Sequence, residues 1–251
     1  MPCTRQDLSV HLDTLMSPQD YRDYCPNGLQ VEGKAQIHHL VTGVTACQAL
    51  IDAAIKAEAD AILVHHGFFW RSEDPAVIGM KARRLRALMM NDINLFAYHL
   101  PLDCHPELGN NAQLGRLMEV PQATYLDPLD PSLPVFSGEL KQAVAIESFA
   151  ERLSSELDRE LLVVGDGPVR KIAWCTGAGQ NYIDKAADAG AELYVTGEVS
   201  EQTIHTARER GICFIAAGHH ATERFGAQAV GDQVANALGL THQFIDIDNP
   251  A

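Results

Sequence analysis

Short apolar runs alternate with helix-period stretches along most of this chain. From Leu40, "LVTGVTACQALIDAAIKAEADAILVHHG" reads as a strand ending in Thr-Gly, a helix containing Ile-Asp, an acid (Asp60) and a second strand. From Ala173, "AWCTGAGQNYIDKAADAGAELYVTGE" repeats that order with Glu192 as the acid. The spacing from Ile51 to Asp60 equals that from Ile183 to Glu192, nine residues. The pattern continues with "MKARRLRALMMND" before the strand "INLFAYHLPLD", and "SEQTIHTARERG" before "CFIAAGHHATE". Each half therefore reads strand–helix–strand–helix–strand. This predicts an α/β fold: two similar three-layer lobes with mostly parallel sheets covered by helices. The stretch "YLDPLDPSLPV" has three prolines, which suit neither a helix interior nor a central strand. It sets the expected boundaries: a first lobe over 1–124, a linker over 125–134 and a second lobe over 135–251.

Open parallel sheets bind ligands beyond the carboxyl ends of their strands. His65 and His66 end the second strand of the first half, and His99 and Asp103 follow its third. Glu198 and the pair His219-His220 hold the matching strand ends of the second half. Lobes that face each other would bring these groups together, so a metal site is expected in the cleft between them.

Composition narrows the partners. The 251 residues are 46% hydrophobic and 21% charged, an ordinary globular balance. With 33 acids against 19 bases the net charge is −14, which opposes contact with nucleic-acid phosphates or an anionic membrane. No apolar run approaches the ~18 residues of a membrane helix. The start, "MPCTRQDLSVHL", does not resemble a signal peptide. The six cysteines are scattered with no Cys-x-x-Cys pair. A cytoplasmic protein with reduced thiols is expected.

Three motifs carry chemistry. Taken alone, His65-His66 is more often one core and one surface histidine, but Gly67 permits a sharp turn that could direct both rings into one site. "HLPLDCH" places His99, Asp103 and His105 within seven residues of a loop, and a carboxylate beside imidazoles suits iron, zinc, manganese or nickel. Asp103 could instead cap a helix, but the next helix is expected near Asn110-Asn111, which can cap it themselves. In "AAGHHATE", a helix starting near His219 sets His219 and Glu223 on one face at i and i+4. Together His65, His66, Asp103, His219 and Glu223 supply three nitrogens and two carboxylates. That set suits two divalent metal ions per chain, with open positions for water and a small-molecule substrate.

The stretches "NGLQVEG", "TGVTA", "HHGFFW", "HLPLD", "GNN", "TGE" and "GHHATER" resemble the Nif-three-like family, in the form of its YbgI-type bacterial members, also called GTP cyclohydrolase type-two homologues. The resemblance runs from about Tyr24 to the end. It implies two α/β lobes, a dinuclear metal centre between them and a toroidal homohexamer. Carried over position by position, the metal ligands fall on His65, His66, Asp103, His219 and Glu223, with Glu223 as bridge. GTP cyclohydrolase-like hydrolysis is the implied activity; a non-enzymatic metal carrier or regulatory binding protein fits the same ligands.

Weaker candidates surround these. Glu198 could orient a ligand imidazole or act as a base, or equally be a solvated acid at a helix start. His205 is expected two turns along the same helix face as Glu198, and His99 either turns into the site or packs. Cys104 and His105 adjoin a ligand and are read as bystanders. Lys81, Arg83, Arg84 and Arg86 form the one basic run, read as a solvated helix face. No Gly-rich phosphate loop is present.

Overall fold

The computed structural model describes residues 3–251, which divide into two compact units. The first comprises residues 3–102 with Ala227–Asp248, and the second Asp103–Gly226 with Asn249–Ala251.

The first unit begins with β1 (Cys3–Thr4) and α1 (Arg5–Met16), the helix fixed at its start by a reciprocal Thr4–Asp7 capping box. There follow β2 (Gly28–Val31), β3 (Gln36–Ile37), β4 (His39–Thr45), α2 (Gln48–Lys56), β5 (Ala61–His66), α3 (Gly79–Met90) and β6 (Asn94–Ala97). Strands β4, β5 and β6 run parallel, and β2 closes one edge antiparallel to β6. The first four residues of β5, Ala61 to Val64, are an unbroken apolar run because the strand is buried along nearly its whole length. Val41, Ile62, Val64 and Leu95 from the sheet pack with Leu50, Ile51, Leu85 and Leu88 from α2 and α3.

The chain passes through α4 (Leu100–Cys104), which straddles the unit boundary, into α5 (Asn110–Leu117), β7 (Thr124–Tyr125), β8 (Phe136–Ala145), α6 (Ile146–Leu157), β9 (Leu162–Val164), β10 (Pro168–Cys175), α7 (Ile183–Asp188), β11 (Leu193–Thr196), α8 (Glu201–Arg210) and β12 (Cys213–Ala216). The second sheet has the order β7-β8-β10-β11-β12-β9. Its core is Trp174, Phe136, Phe149, Leu193 and Ile215 with Leu114, Met118 and Val120. Helix α9 (His219–Leu238) begins in the second unit and ends in the first, where β13 (Thr241–Phe244) adds a parallel strand to β4.

The α/β class and the two strand–helix–strand–helix–strand runs hold. Three details differ from the sequence reading. The second sheet is parallel only across β10, β11 and β12, while β7, β8 and β9 pair antiparallel. Those three strands have no helical crossover from a parallel neighbour, the feature that had marked the others. The proline-rich stretch does not divide the units: Asn110–Leu117 before it and β8 after it pack in one core, and β13 returns to the first sheet. Finally, Thr42-Gly43 and Thr176-Gly177 are not equivalent. Leu40 pairs Ala61 and Ile172 pairs Leu193, which aligns Thr45 with Gly177 and leaves Gly43 inside β4.

The acids of the repeat do correspond. Asp60 accepts hydrogen bonds from the amides of His38 (2.8 Å) and His39 (3.1 Å). Glu192 accepts from those of Arg170 (2.7 Å) and Lys171 (3.0 Å), at the same separations along the chain. In both units a carboxylate entering the second strand satisfies two amides at the first.

Candidate metal centre

Strand β5 carries His65 and His66 to its carboxyl end. Alternation along a strand separates neighbouring side chains, yet these ring centroids lie 4.3 Å apart at 40°. The chain leaves the strand immediately through Gly67, where a Cβ would collide with Gln30 and stand 2.6 Å from the Ala97 Cβ. Glycine is needed there for close approach. His65 is fully buried, with Nδ1 3.1 Å from the Tyr98 carbonyl oxygen. His66 Nδ1 lies 3.2 Å from Thr45 Oγ1. His99 stacks on His65 with centroids 5.0 Å apart, and its Nδ1 lies 2.9 Å from Asp23 Oδ1.

A carbonyl or carboxylate can only accept a hydrogen bond, so it holds the facing Nδ1 protonated and makes Nε2 the nitrogen that can serve as a ligand atom. His65 and His99 are both held in this way. His65, His66 and His99 each offer a ligand atom, all within 4.8 Å of one another, so the group could hold a metal ion.

Asp23 and Cys25 make a similar group with His99. The Asp23 carboxylate, however, already accepts from the Tyr24 amide (2.7 Å), Asn27 Nδ2 (3.1 Å) and the Leu100 amide (2.9 Å) as well as from His99. Burial alone would raise its pKa, but the His99 ring and these donors hold the carboxyl well below the usual carboxylate range. Asp23 therefore reads as the group that orients His99.

In the second unit, the start of α9 places His219 and Glu223 one turn apart, with His219 Nε2 3.2 Å from Glu223 Oε2. His219 Nδ1 is 2.7 Å from Glu198 Oε1, so the imidazole sits between two carboxylates. Burial opposes a charge on this ring, but hydrogen bonding and attraction from Glu223 and then Glu198 outweigh it and raise the pKa to about 9. The Nε2 proton thus occupies a position where a cation is strongly favoured. Asp103 is buried on α4, and its Oδ1 accepts from Asn110 Nδ2 (2.9 Å) and Thr176 Oγ1 (3.2 Å). These buried carboxylates and tautomer-fixed imidazoles are the chemistry that divalent metals take.

Within the first unit the structure groups His65, His66 and His99, and within the second His219, Glu223 and Glu198. His205 lies apart. Helix α8 starts at Glu201 after a Ser200 cap, so Glu198 is not on it, and the exposed His205 is 3.9 Å from Glu201 instead. Asp103 stands on a short helix rather than in a loop. Asn110 and Asn111 do not cap α5; Gly109 precedes the helix, and both side chains turn inward to Asp103. His105 accepts from the Glu107 and Leu108 amides, a turn-closing role. His242 is half-buried between Asp232 (2.8 Å) and Thr42 (2.8 Å), away from these candidates. Sequence reasoning missed Asp23, Thr45, Tyr98 and Thr176, which orient the candidates from distant positions. Among the described residues no helix is long and apolar enough to cross a membrane.

Known proteins resemble this chain along its length. The profile of Duf34/NIF3 (NGG1p interacting factor 3) matches residues 3–250. A Pseudomonas aeruginosa protein called GTP cyclohydrolase 1 type 2 homolog is 53% identical over 252 residues, spanning 97% of this chain and 100% of that protein. A Haemophilus influenzae protein of the same name is 53% identical over 248 residues, 98% of each chain. Among solved structures, protein ybgI, described as of unknown function, superposes with a TM-score of 0.94 at 48% identity, covering 99% of this chain and 100% of that one. TTHA1606 from Thermus thermophilus gives 0.91 at 34% identity, with 99% and 100% covered.

Proposed function

This chain belongs to the Duf34/NIF3 family, and from that premise we propose that it binds two divalent metal ions through His65, His66, Asp103, His219 and Glu223 and uses them to hydrolyse a small molecule. The observation that carries the reading is the Glu198–His219–Glu223 array, with His219 held between carboxylates at 2.7 and 3.2 Å. Iron, zinc, manganese and nickel all suit this mixture of imidazole and carboxylate. Divalent ions held by these residues would supply Lewis acidity and make water a better nucleophile near neutral pH.

The chain's own groups have separate tasks. Asp103, oriented by Asn110 and Thr176, presents a fixed carboxylate. Glu223, buried one helical turn from His219, would supply the second carboxylate to the ions. Glu198 keeps the Nδ1 proton of His219, and its side chain is 41% exposed, so it can exchange protons with solvent. The relatives' name makes GTP the first substrate to test; the reading itself requires only a hydrolysable small molecule.

Elemental mass spectrometry on wild type and Glu223→Ala tests the metal reading. Near two ions per wild-type chain, falling sharply in the variant, is expected. No bound metal after incubation with iron, manganese and zinc would overturn it. Two ions with no hydrolysis of nucleotides, phosphoesters or cyclic amides would leave the metal-carrier reading in place of the hydrolase.

A further inference from the structure

A second concave site lies in the second unit and shares no residue with the metal candidates. It is a groove of about 730 Å³ lined by Arg116, Glu119, Val120, Pro121, Leu140, Lys141, Gln142, Val144 and Arg152. That volume falls within the ~300–1,000 Å³ of small-molecule sites. Three observations converge on it.

The first is charge. Among 19 bases in a chain of net charge −14, three line this one groove, against the single acid Glu119. Arg152 is held in place: it donates to Glu119 Oε2 (3.0 Å) and the Met118 carbonyl (3.4 Å), and stacks on Phe149. Arg116 and Lys141 are exposed, and neither has an ion-pair partner among the described residues. The groove thus keeps a local positive excess on an acidic molecule.

The second is the backbone of β8. Glu139 pairs Lys171 and Val144 pairs Val169, so the four residues Leu140–Ala143 face Arg170 alone. Bulges of this kind re-aim side chains and concentrate beside functional sites. Here the bulge supplies Leu140, Lys141 and Gln142 to the groove. Glu119, just past the end of α5, takes the left-handed φ of +58° that terminates the helix and turns the chain into the groove's lining. The third is the floor. Val120 and Leu140 are buried, and Pro121 and Val144 extend the apolar surface beside the cations.

We infer that this groove binds a small ligand with an anionic head and an apolar body, the head meeting Arg116, Lys141 and Arg152 and the body lying on Val120, Leu140 and Val144. Phosphate and carboxylate heads share this chemistry, so the test includes both. Isothermal titration calorimetry on the full chain would use phenyl phosphate, 3-phenylpropionate and neutral benzyl alcohol as probes. One-site binding of at least one anion, with a Kd below about 1 mM, is expected. Lys141→Glu and Arg116→Glu should each weaken it about tenfold, while the distant Lys185→Glu leaves it unchanged. The milder Arg116→Gln, checked for a native melting curve, replaces any charge reversal that fails to fold. The inference is overturned by absence of saturable binding, by equal binding of benzyl alcohol, by binding that survives both reversals, or by binding abolished by Glu223→Ala.

Discussion

Replacing Gly177 with alanine separates the stability of the fold from the integrity of the site. Gly177 follows β10 with φ +64°. Its amide donates to Thr222 Oγ1 (3.0 Å), and its carbonyl accepts from the Gly197 amide (2.9 Å) and Thr196 Oγ1 (3.2 Å). A Cβ built there runs into Glu223 Oε1, and stands 3.1 Å from Glu223 Cδ and 3.2 Å from His219 Nε2. The backbone cost of a left-handed alanine is about 1–2 kcal/mol. Against a typical stability of ~5–15 kcal/mol that leaves the protein folded. The steric conflict falls on the end of one side chain, which can swing aside, and the folding cost then includes part of its ion pair with His219. For metal binding the same swing is severe, because it takes the Glu223 carboxylate from the position it shares with His219. Displacing even an indirect partner of a metal costs ~10–100-fold in affinity, and displacing a direct ligand costs at least that. Gly177→Ala should therefore melt cooperatively a few degrees below wild type and retain little metal by elemental mass spectrometry. A folded variant with full metal content would refute the assignment of Glu223 as a ligand.

Two further outcomes follow from the site and the family. In metal-stripped protein, His219 is raised from 6.5 to about 9, so the stability it contributes is complete below pH 6.5 and is lost as pH rises through 9, on the order of 3 kcal/mol in all. Wild type should lose more stability than His219→Gln between pH 7 and 10 in denaturant titrations, and parallel curves would contradict the charge assignment. The toroidal hexamer implied by the resemblance predicts a mass near six chains in light scattering, and a monomer at micromolar concentration would count against it.

The repeat was legible because α/β units impose their own periodicity. The apolar strand ends, the Ile-to-acid spacing and the alternating helices all derive from burying a parallel sheet on both faces. The acids Asp60 and Glu192 were visible as positions, and the structure adds why they recur: each satisfies two amides at the start of the preceding strand. The antiparallel strands left a fainter trace. Residues 136–145 are largely exposed along their second half, and Leu162–Val164 is too short for a pattern to register. The closing of the first sheet by β13 depends on a 20-residue helix carrying the chain back, a long-range step with no local signature.

At the site, what the sequence revealed and what it hid divide by how each residue acts. A histidine or carboxylate at a strand end or one helical turn from another is recognisable by type and spacing, which is why His65, His66, His219 and Glu223 stood out. The groups that select their donor atoms carry no such mark. Tyr98 acts on His65 through its carbonyl, which any residue could have offered. Asp23 meets His99 across 76 positions, and Thr176 meets Asp103 across 73. Yet these partners decide which nitrogen carries the proton and which way a carboxylate turns. Glu198 is the exception, visible in sequence because the repeat places it where the first half has His66. The same strand-end position thus holds a candidate ligand in one unit and, in the other, the acid that orients one.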